Sequence, residues 1–454
     1  MVLDLQKIEN VHFIGIGGIG ISAIARMMKE MGKNVTGQDM QEGEIVKELK
    51  SLGIDIKIGQ SYDNIPSDTD LIVYTIAIEY YDKDLYEKVK SGSIHAKSYP
   101  EMLGIISESK YTIAVCGTHG KTTTTGMIAR VLIDASKKPT VVVGSLLKDP
   151  SSPSGRANFI KGESDLASPN QGGLFVVEAC EYRRSFLNIS PKILVITNVD
   201  EDHLDYYKDI EDIKSAFHAM VMKVPEDGFI ICNPSDKNIS DVIKDAKAKI
   251  VNYADYFDKG IKLMIPGIHN KKNAAAAIAA CLAIGMDIEE SKKYLEKFPG
   301  TWKRFEFRGK LSNGSLLYDD YAHHPTEIMS TLEGFREIYP KDGDWKIYIV
   351  FQPHLFSRTK LLLADFAKSF FEADHVFVLP IYYAREVDDG TISSEILVEA
   401  INKHSNNAES FKDFESLEKY MSLHLGEMDE KCIIVTMGAG NASLIGDYLL
   451  DNFK

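Results

Sequence analysis

A glycine-rich stretch at residues 115–123, with the sequence VCGTHGKTT, imposes one local architecture on this chain. An apolar run, Tyr111–Cys116, leads into it, and apolar residues at helical spacing follow it. A strand, a glycine loop, Lys121-Thr122 and a helix, in that order, form a cradle for phosphate. Backbone N–H groups and the helix N-terminus face the anion, the lysine reaches the outer phosphates, and the threonine hydroxyl can ligate Mg²⁺. Val115 replaces the first glycine of the strict pattern, so we predict a shortened phosphate loop rather than an ordinary strand–helix turn with a surface lysine.

A second glycine pattern lies near the N-terminus, between a strand predicted at residues 11–14 and a helix; its members are Gly15, Gly17, Gly18 and Gly20. A second predicted strand, at residues 34–37, leads to Asp39, an acid at the distance that suits a ribose hydroxyl. The glycines select a diphosphate rather than a nicotinamide, and a plain Rossmann turn without a ligand is the alternative. Thr75, in a predicted strand at residues 71–76, can line the same crevice.

Length and charge limit the classes of function. A chain of 454 residues is expected to form about three domains. Its net charge of −14 argues against nucleic-acid binding as the main task. Five scattered cysteines without a C-x-x-C pair are expected to be mostly buried small residues in a reducing compartment. There is no apolar leader before residue 11, and the longest apolar run, 274–285, is too short to cross a bilayer, so we expect a cytoplasmic protein.

Alternating strand and helix patterns divide the chain into three α/β units, predicted at residues 1–107, 108–300 and 301–454. We expect a Rossmann-like N-terminal domain, a central domain with a parallel or mixed sheet around the phosphate loop, and a Rossmann-like C-terminal domain. Residues 151–173, rich in Ser, Pro and Gly, are predicted to form a mobile loop. In such open sheets, ligands lie beyond the carboxyl ends of the strands.

Polar residues follow two strands predicted in the central unit. Glu178 comes after residues 174–177, and Asp202 and His203 come after residues 193–197. Acidic strand ends beside a phosphate loop predict Mg²⁺ ligands and an aid to phosphoryl transfer. The alternatives are a helix N-cap or a solvated acid for Glu178, and a helix cap or a surface position for His203.

Further polar segments are candidate contacts for other ligands. Asn270 and Asn273 share a helical face and can contact an adenine edge, although Asn270 can equally cap the helix. Residues 319–325, DDYAHHP, either bind a metal or form a helix cap with surface histidines. Arg358, near another strand end, suits a carboxylate or a phosphate. Together, a diphosphate crevice, a phosphate loop with Mg²⁺ ligands and a third polar region that suits amines and carboxylates predict an enzyme that joins two substrates with the energy of ATP.

From about residue 10 to residue 445, these motifs resemble those of the Mur ligase family. The segments that carry the resemblance are the two glycine loops and residues 197–203 (TNVDEDH), 269–273 (HNKKN), 319–325 and 351–354 (FQPH). The resemblance implies UDP-binding, ATPase and amino-acid-binding domains. It also implies the chemistry: with ATP and Mg²⁺, the lactyl carboxylate of UDP-N-acetylmuramate forms an acyl phosphate, which L-alanine attacks, in peptidoglycan precursor synthesis.

The resemblance also implies roles for individual residues. Catalytic and metal-binding roles fall on Lys121, Thr122, Glu178 and His203, with Thr122, Glu178 and His203 as the metal ligands. Implied ATP contacts are Gly117, Thr118, His119, Gly120, Lys121, Thr122, Thr123, His269, Asn270, Asn273 and Arg304. Implied UDP-sugar contacts are Gly15, Gly17, Gly18, Gly20, Asp39 and Thr75, and implied amino-acid contacts are Asp320, Tyr321, His323 and Arg358. No nucleic acid or membrane is an expected partner, and we expect a monomer or a weak homodimer.

Two departures and three alternatives qualify this interpretation. Residues 178–185, EACEYRRS, replace a commoner acidic EADESD, and Leu355 stands where many members have an arginine. One alternative is a murein peptide ligase, which attaches a preformed tripeptide to the same UDP-sugar; the FQPH segment argues against it. A nicotinamide-dependent oxidoreductase leaves the phosphate loop and Glu178 unexplained. A non-catalytic nucleotide-binding protein does not require an intact Lys121.

Overall fold

The computed structural model describes residues 3–149, 152, 155–163, 173–383, 386–425 and 432–453. Within this part the chain forms three sheets of five, seven and six strands. Two compact units hold them: one contains the chain up to Asp258 together with Lys272–Lys297, and the other contains Lys259–Lys271 and the chain from Phe298 onward. The first two sheets belong to the first unit and the third sheet to the second. The predicted boundaries at 107/108 and 300/301 stay predictions.

The first sheet is entirely parallel, with the order β3-β2-β1-β4-β5. Its strands are β1 Asn10–Ile14, β2 Asn34–Asp39, β3 Asp55–Ile58, β4 Leu71–Tyr74 and β5 His95–Ser98. The helices between and after them are α1 Ile19–Glu30, α2 Glu44–Ser51, α3 Ile78–Tyr81, α4 Lys83–Ser91 and α5 Tyr99–Glu108. The strand order reverses at β1, which lies between β2 and β4, and this reversal is where a doubly wound sheet opens a ligand crevice.

The second sheet has the order β12-β11-β10-β6-β9-β7-β8. Its strands are β6 Tyr111–Cys116, β7 Thr140–Lys148, β8 Arg156–Ile160, β9 Leu174–Glu178, β10 Ile193–Ile196, β11 Phe229–Cys232 and β12 Lys249–Asn252. Its helices are α6 Lys121–Asp134, α7 Ile210–Val221, α8 Lys237–Val242, α9 Ile268–Leu282 and α10 Ile288–Leu295. All strand pairs are parallel except the edge pair β7–β8, so the sheet is mixed, as predicted.

The prediction of a loop at 151–173 is wrong at residues 156–160, which form β8. This strand pairs antiparallel with β7 and buries Ala157, Asn158 and Phe159. An edge strand can start directly after turn-forming residues, and the Ser, Pro and Gly that precede it masked its short apolar pattern. Residues 150–151, 153–154 and 164–172 of this segment lie outside the described residues.

The third sheet has the order β13-β14-β18-β15-β16-β17, with only β13 and β14 antiparallel. Its strands are β13 Glu306–Lys310, β14 Leu316–Asp320, β15 Lys346–Phe351, β16 His375–Val378, β17 Ala408–Ser410 and β18 Cys432–Met437. Its helices are α11 Pro325–Ile338, α12 Phe356–Leu361, α13 Leu363–Ser369, α14 Ser394–Asn402, α15 Phe414–His424 and α16 Ser443–Phe453. The expected α/β fold class with three sheet-based domains is confirmed.

Apolar strands flanked by helices explain these sheets. In β6, residues 113–116 are completely buried, as the central strand of a parallel sheet covered on both faces must be. Cys116, Cys232, Cys281 and Cys432 are buried, as expected, whereas Cys180 is exposed; all five are free thiols. Over the described ranges, every helix falls short of the length or the apolar character that crossing a membrane needs.

A buried histidine in β1 makes the stability of the fold depend on pH. His12 is 1% exposed; its Nδ1 lies 2.8 Å from Thr36 Oγ1 and its Nε2 lies 3.1 Å from Gln38 Nε2. Burial, followed by the charge of Lys57, lowers the pKa of His12 to about 4. The folded protein therefore keeps the ring neutral, whereas the unfolded chain takes up a proton below about pH 6.5.

We expect this site to stabilise the fold fully above pH 6.5 and to lose that contribution as the pH falls from 6.5 toward 4. Between pH 7.5 and pH 5 the loss is about 2 kcal/mol. Urea denaturation at both pH values, in the native chain and in His12→Gln, measures it as the difference between the two pH-induced changes in the free energy of unfolding. Equal changes in the two proteins would show that His12 does not carry this dependence.

Candidate active site

The phosphate loop joins β6 to α6, and two of its glycines cannot be replaced without a clash. Gly117 has φ 134°, and a Cβ there would lie 2.0 Å from Thr197 Oγ1. Gly120 has φ 80°, and a Cβ there would lie 2.5 Å from Asn273 Oδ1. Left-handed backbone and close neighbours at the same position require glycine. Asn273, an expected adenine contact, thus lies directly beside this loop.

The end of β10 holds the loop in place through hydrogen bonds. The backbone N–H of His119 donates to Asn198 Oδ1 at 2.9 Å, and Thr197 Oγ1 donates to the His119 carbonyl at 2.6 Å. The Thr118 hydroxyl donates to the Asp200 carbonyl at 3.1 Å. No local pattern predicts this bracing role of Thr197 and Asn198; the only signal in the sequence is a pair of polar residues directly after a strand.

Lys121 is the first residue of α6, and its ammonium group lies inside the loop. Its Nζ donates to the carbonyl oxygens of Gly117 at 2.6 Å and Thr118 at 2.9 Å, and it pairs with Glu181 Oε2 at 3.0 Å. Burial on its own would raise the pKa of the Glu181 carboxyl, but the charges of Lys121 and His203 hold that pKa below its usual value. Glu181 is therefore an ionised, buried partner of the loop lysine.

A hydroxyl and a carboxylate meet where the phosphate loop faces the end of β9. Thr122 Oγ1 donates to Glu178 Oε1 at 2.8 Å, and the Gly144 N–H donates to Glu178 Oε2 at 2.7 Å. Glu178 is therefore neither a helix N-cap nor a solvated acid, since it is the last residue of a strand and both of its carboxylate oxygens accept hydrogen bonds. Such hard oxygen donors suit Mg²⁺, which usually takes one or two protein ligands and completes its shell with waters and phosphates. The described ranges hold no group of three or more His, Cys, Asp and Glu side chains placed to bind a metal by themselves.

His203 contacts Glu181 rather than capping a helix. Its Nε2 lies 3.5 Å from Glu181 Oε1 and 3.7 Å from Asp202 Oδ2, and its ring lies 4.7 Å from the Tyr182 ring. Its backbone is left-handed, with φ 53°. Glu181 thus links two expected catalytic residues, Lys121 and His203. The sequence contains one signal for this link, an acid three residues after Glu178, but that spacing alone does not predict the contact.

The expected adenine contacts lie in the first two turns of α9. This helix begins at Ile268, so the interpretation of Asn270 as its N-cap is wrong. The buried Asn270 side chain donates from Nδ2 to the Pro266 carbonyl at 2.6 Å, whereas a cap must accept from a backbone N–H. His269 covers Gly267, where a Cβ would lie 2.5 Å from its ring.

The N-terminal glycine loop packs tightly against its neighbours. A Cβ at Gly15, which has φ 75°, would lie 2.5 Å from Thr75 Cγ2, and one at Gly20 would lie 2.7 Å from the Tyr99 ring. The Gly17 N–H donates to Asp39 Oδ2 at 2.8 Å, and Gly18 is the N-cap of α1. The structure therefore brings together all six expected UDP-sugar contacts, with one Asp39 oxygen holding the loop itself.

In the second unit, the cluster at 319–325 is built on the end of β14. Asp320 Oδ2 accepts from the Phe305 N–H at 2.7 Å, and its Oδ1 accepts from the Ala322 N–H at 2.8 Å. Burial raises the pKa of Asp320 to about 6. His324 caps α11 and is buried, so the cap interpretation holds for it but the surface position does not. The Asp320 carboxylate holds backbone, which fits a scaffold better than a metal site.

The other expected amino-acid contacts form a chain of touching side chains in this unit. His323 Nδ1 lies 2.9 Å from the Tyr321 carbonyl oxygen, and the His323 ring lies 5.9 Å from the His354 ring. Arg358 Nη1 bonds His354 Nδ1 at 3.2 Å. Arg304, expected at the nucleotide, lies 5.1 Å over the Tyr321 ring. These five side chains therefore form one contiguous cluster, in which Arg358 is buried.

Leu355, in the segment after β15, is the position where many family members have an arginine, and its surroundings explain why a leucine fits there. Its side chain is buried, and its backbone has φ 72° while its N–H donates to the Tyr382 carbonyl at 2.9 Å. An apolar side chain here is a packing residue, so Arg358 is the cation that this segment presents to the cluster.

Three α/β domains, one with a phosphate loop and one with a diphosphate-type loop, define a class of modular nucleotide-binding proteins. Comparison with known families places the chain within it: residues 10–111 match the Mur ligase family catalytic domain, 115–260 the Mur ligase middle domain, and 303–440 the Mur ligase glutamate ligase domain. The chain belongs to the Mur ligase family.

Named relatives cover the whole chain. It is similar to the UDP-N-acetylmuramate–L-alanine ligase of Acetivibrio thermocellus, with 38% identity over 99% of this chain and 97% of the relative. The enzyme of the same name from Caldanaerobacter subterraneus subsp. tengcongensis is 39% identical over 100% of both chains. Among solved structures, UDP-N-acetylmuramate–alanine ligase from Thermotoga maritima aligns with TM-score 0.75 and 26% identity over 97% of this chain and 98% of that one.

Proposed function

We propose that this chain is an ATP-dependent ligase that joins L-alanine to the lactyl carboxylate of UDP-N-acetylmuramate. The observation that carries the proposal is the Lys121, Thr122 and Glu178 arrangement, in which a lysine paired with the buried Glu181 and a hydroxyl–carboxylate pair converge on one phosphate loop. Relatives named UDP-N-acetylmuramate–L-alanine ligase match the chain over 99–100% of its length. The nicotinamide alternative has no comparable support, because a ligase family accounts for all three domains.

The proposed reaction has two steps. A carboxylate oxygen of the UDP-sugar attacks the γ-phosphorus of ATP, ADP leaves, and an acyl phosphate forms. The amine of L-alanine then attacks the acyl carbon, loses a proton and expels phosphate, which leaves an amide. Lys121 neutralises charge on the transferring phosphoryl group, and His203 contacts Glu181, the carboxylate partner of Lys121. Mg²⁺, held by Thr122 and Glu178 with His203 near a second ion, would add positive charge at the phosphates.

Binding of the three substrates is divided among the domains in this proposal. The loop from Gly117 to Thr123, with His269, Asn270, Asn273 and Arg304, binds ATP. The N-terminal glycine loop, with Asp39 and Thr75, binds the UDP diphosphate and ribose. Tyr321, His323 and Arg358 contact the amino acid, and Asp320 shapes their loop. We place the reaction in the cytoplasm, where ATP is available, and propose a monomer or weak homodimer.

Phosphate release by the purified protein tests the proposal. ATP, Mg²⁺ and UDP-N-acetylmuramate are combined with L-alanine, L-serine, glycine or the stem tripeptide. We expect release that needs both the UDP-sugar and L-alanine. Release with the tripeptide alone would instead identify a murein peptide ligase, and release without any UDP-sugar, or none at all, would contradict the proposed ligase.

Replacing His323 with alanine should weaken amino-acid binding selectively. We expect the KM for L-alanine to rise about tenfold or more, with the KM for ATP within twofold, since a hydrogen bond to a charged ligand is worth about 1.5–3 kcal/mol. The matched control is His375→Ala, which removes a histidine paired with Glu409 elsewhere in the same sheet. An equal rise in both KM values would argue against this assignment.

A further inference from the structure

Two consecutive arginines after β9 adopt backbone angles that non-glycine residues rarely take. Arg183 has φ 54° and ψ 30°, and Arg184 has φ 56° and ψ 22°. The left-handed region costs about 1–2 kcal/mol for each such residue. Strain of this kind persists only where the surroundings enforce it, and it clusters at ligand clamps and active sites. The two-step reaction proposed above uses neither arginine.

The two side chains point to different partners. Arg184 Nη2 pairs with Asp212 Oδ1 at 2.6 Å, and Asp212 lies on α7 of the same domain. Arg183 Nη1 instead pairs with Glu79 Oε2 at 3.0 Å, and its guanidinium lies 4.3 Å over the ring of Tyr80. Glu79 and Tyr80 belong to α3 of the N-terminal domain. Arg183 therefore reaches from the ATP-binding domain to the domain with the diphosphate-type loop.

The surroundings of Arg183 connect it to both candidate sites. On one side, α3 starts three residues after Thr75, which packs against Gly15 of the diphosphate-type loop. On the other side, the preceding residue, Tyr182, packs on the His203 ring at 4.7 Å. The Arg183 guanidinium is also 5.9 Å from the ring of Tyr206, whose N–H donates to the His203 carbonyl at 2.9 Å. The cation thus lies between the two regions that one UDP-sugar would have to bridge.

The pair that Arg183 now makes has the chemistry of a substrate contact. A guanidinium binds a carboxylate through two parallel N–H···O bonds, and an aromatic face under it fixes its plane. Glu79 presents a carboxylate at this position, and its side chain is 46% exposed, so it can move into water at little cost. Arg183 is 24% exposed, which leaves it reachable from solvent.

We propose that Arg183 is a specificity-determining residue that binds the lactyl carboxylate of the UDP-sugar, and that Glu79 occupies the same guanidinium until the substrate arrives. This proposal rests on the function proposed above. The proposal also explains the departure at residues 178–185. Where the commoner segment is acidic, this chain has an arginine that can bind the substrate carboxylate.

Calorimetric binding without ATP tests the proposal separately from turnover. The two probes are UDP-N-acetylmuramate and UDP-N-acetylglucosamine, the same nucleotide sugar without the lactyl group and hence without a carboxylate. We expect Arg183→Ala to weaken binding of the first probe about tenfold or more and binding of the second by less than twofold. Arg183→Lys should recover part of the loss. Arg184→Ala, with the same backbone strain but a partner in its own domain, should change neither by more than twofold.

A glycine variant separates charge from strain. Arg183→Gly removes the guanidinium but accepts a left-handed φ without cost, so it should show the same selective loss with an undiminished Tm. Equal weakening of both probes would assign Arg183 to the diphosphate and overturn the proposal. Unchanged binding of both probes would mean that Arg183 only stabilises the fold, and this result would also overturn the proposal. If the native protein binds neither probe, the proposed function fails first, and this outcome is distinct from the other two.

Discussion

Ligation is lost when Lys121 is replaced by alanine, and we expect kcat to fall about a thousandfold or more. The lysine is the cation of the phosphate loop, and the charge that develops on the transferring phosphoryl group then has no lysine to neutralise it. Phosphate release at saturating ATP, UDP-N-acetylmuramate and L-alanine measures the loss. A Lys121→Ala protein with near-normal turnover would show that the loop is not the catalytic phosphate site.

The same substitution also removes the partner of a buried carboxylate, so its effect on folding must be separated from its effect on catalysis. Glu181 is only 2% exposed and pairs with Lys121 at 3.0 Å. Leaving one charge of a buried pair uncompensated costs about 3–5 kcal/mol. The double variant Lys121→Ala/Glu181→Gln removes both charges, so we expect it to regain stability without regaining turnover. Lys192→Ala, which breaks a surface pair with Asp227, is the control for lysine loss in general.

Replacing Glu178 with glutamine has the second largest expected effect. The carboxylate accepts from the Thr122 hydroxyl and the Gly144 N–H, and a neutral amide can neither balance a divalent cation nor accept at both atoms. We expect the Mg²⁺ concentration for half-maximal rate to rise about tenfold or more and kcat to fall about a hundredfold. Initial rates over a Mg²⁺ titration measure both quantities.

Glu201→Gln provides the matched control for this substitution. Glu201 is an exposed acid in the segment after β10, and its loss should leave the Mg²⁺ dependence unchanged. If the Glu178→Gln protein has the same Mg²⁺ dependence of the initial rate as the native protein, Glu178 does not bind the metal. Its remaining role would then be to hold Gly144 against β9.

The parts of the fold that sequence analysis predicts best are those where local pattern and tertiary environment agree. Tyr111–Cys116 is observed with the predicted bounds, because a mostly apolar run of six residues between turn-forming segments fits a buried strand. The two glycine loops are predictable for a similar reason, since Gly15, Gly117 and Gly120 need backbone angles that other residues avoid.

The parts that escaped prediction depend on contacts between distant residues. The pairing of Lys121 with Glu181 joins positions 60 apart, and the Arg183–Glu79 pair joins positions 104 apart; no local pattern encodes either. Edge strands such as β12 bury little and carry a weak apolar signal. The alternative of Asn270 as an N-cap is wrong because α9 begins at Ile268, directly after Pro266 and Gly267, two residues that are typical of a loop.

The origin of the oxygen atoms in the released phosphate tests the proposed acyl phosphate most directly. UDP-N-acetylmuramate labelled with ¹⁸O in its lactyl carboxylate is incubated with ATP, Mg²⁺, L-alanine and the native protein, and the phosphate is analysed by mass spectrometry. Attack of the carboxylate on the γ-phosphorus predicts phosphate that carries one ¹⁸O atom from the substrate. Phosphate without label would show that the carboxylate never bonds to phosphorus, which would contradict the ligase mechanism proposed for this chain.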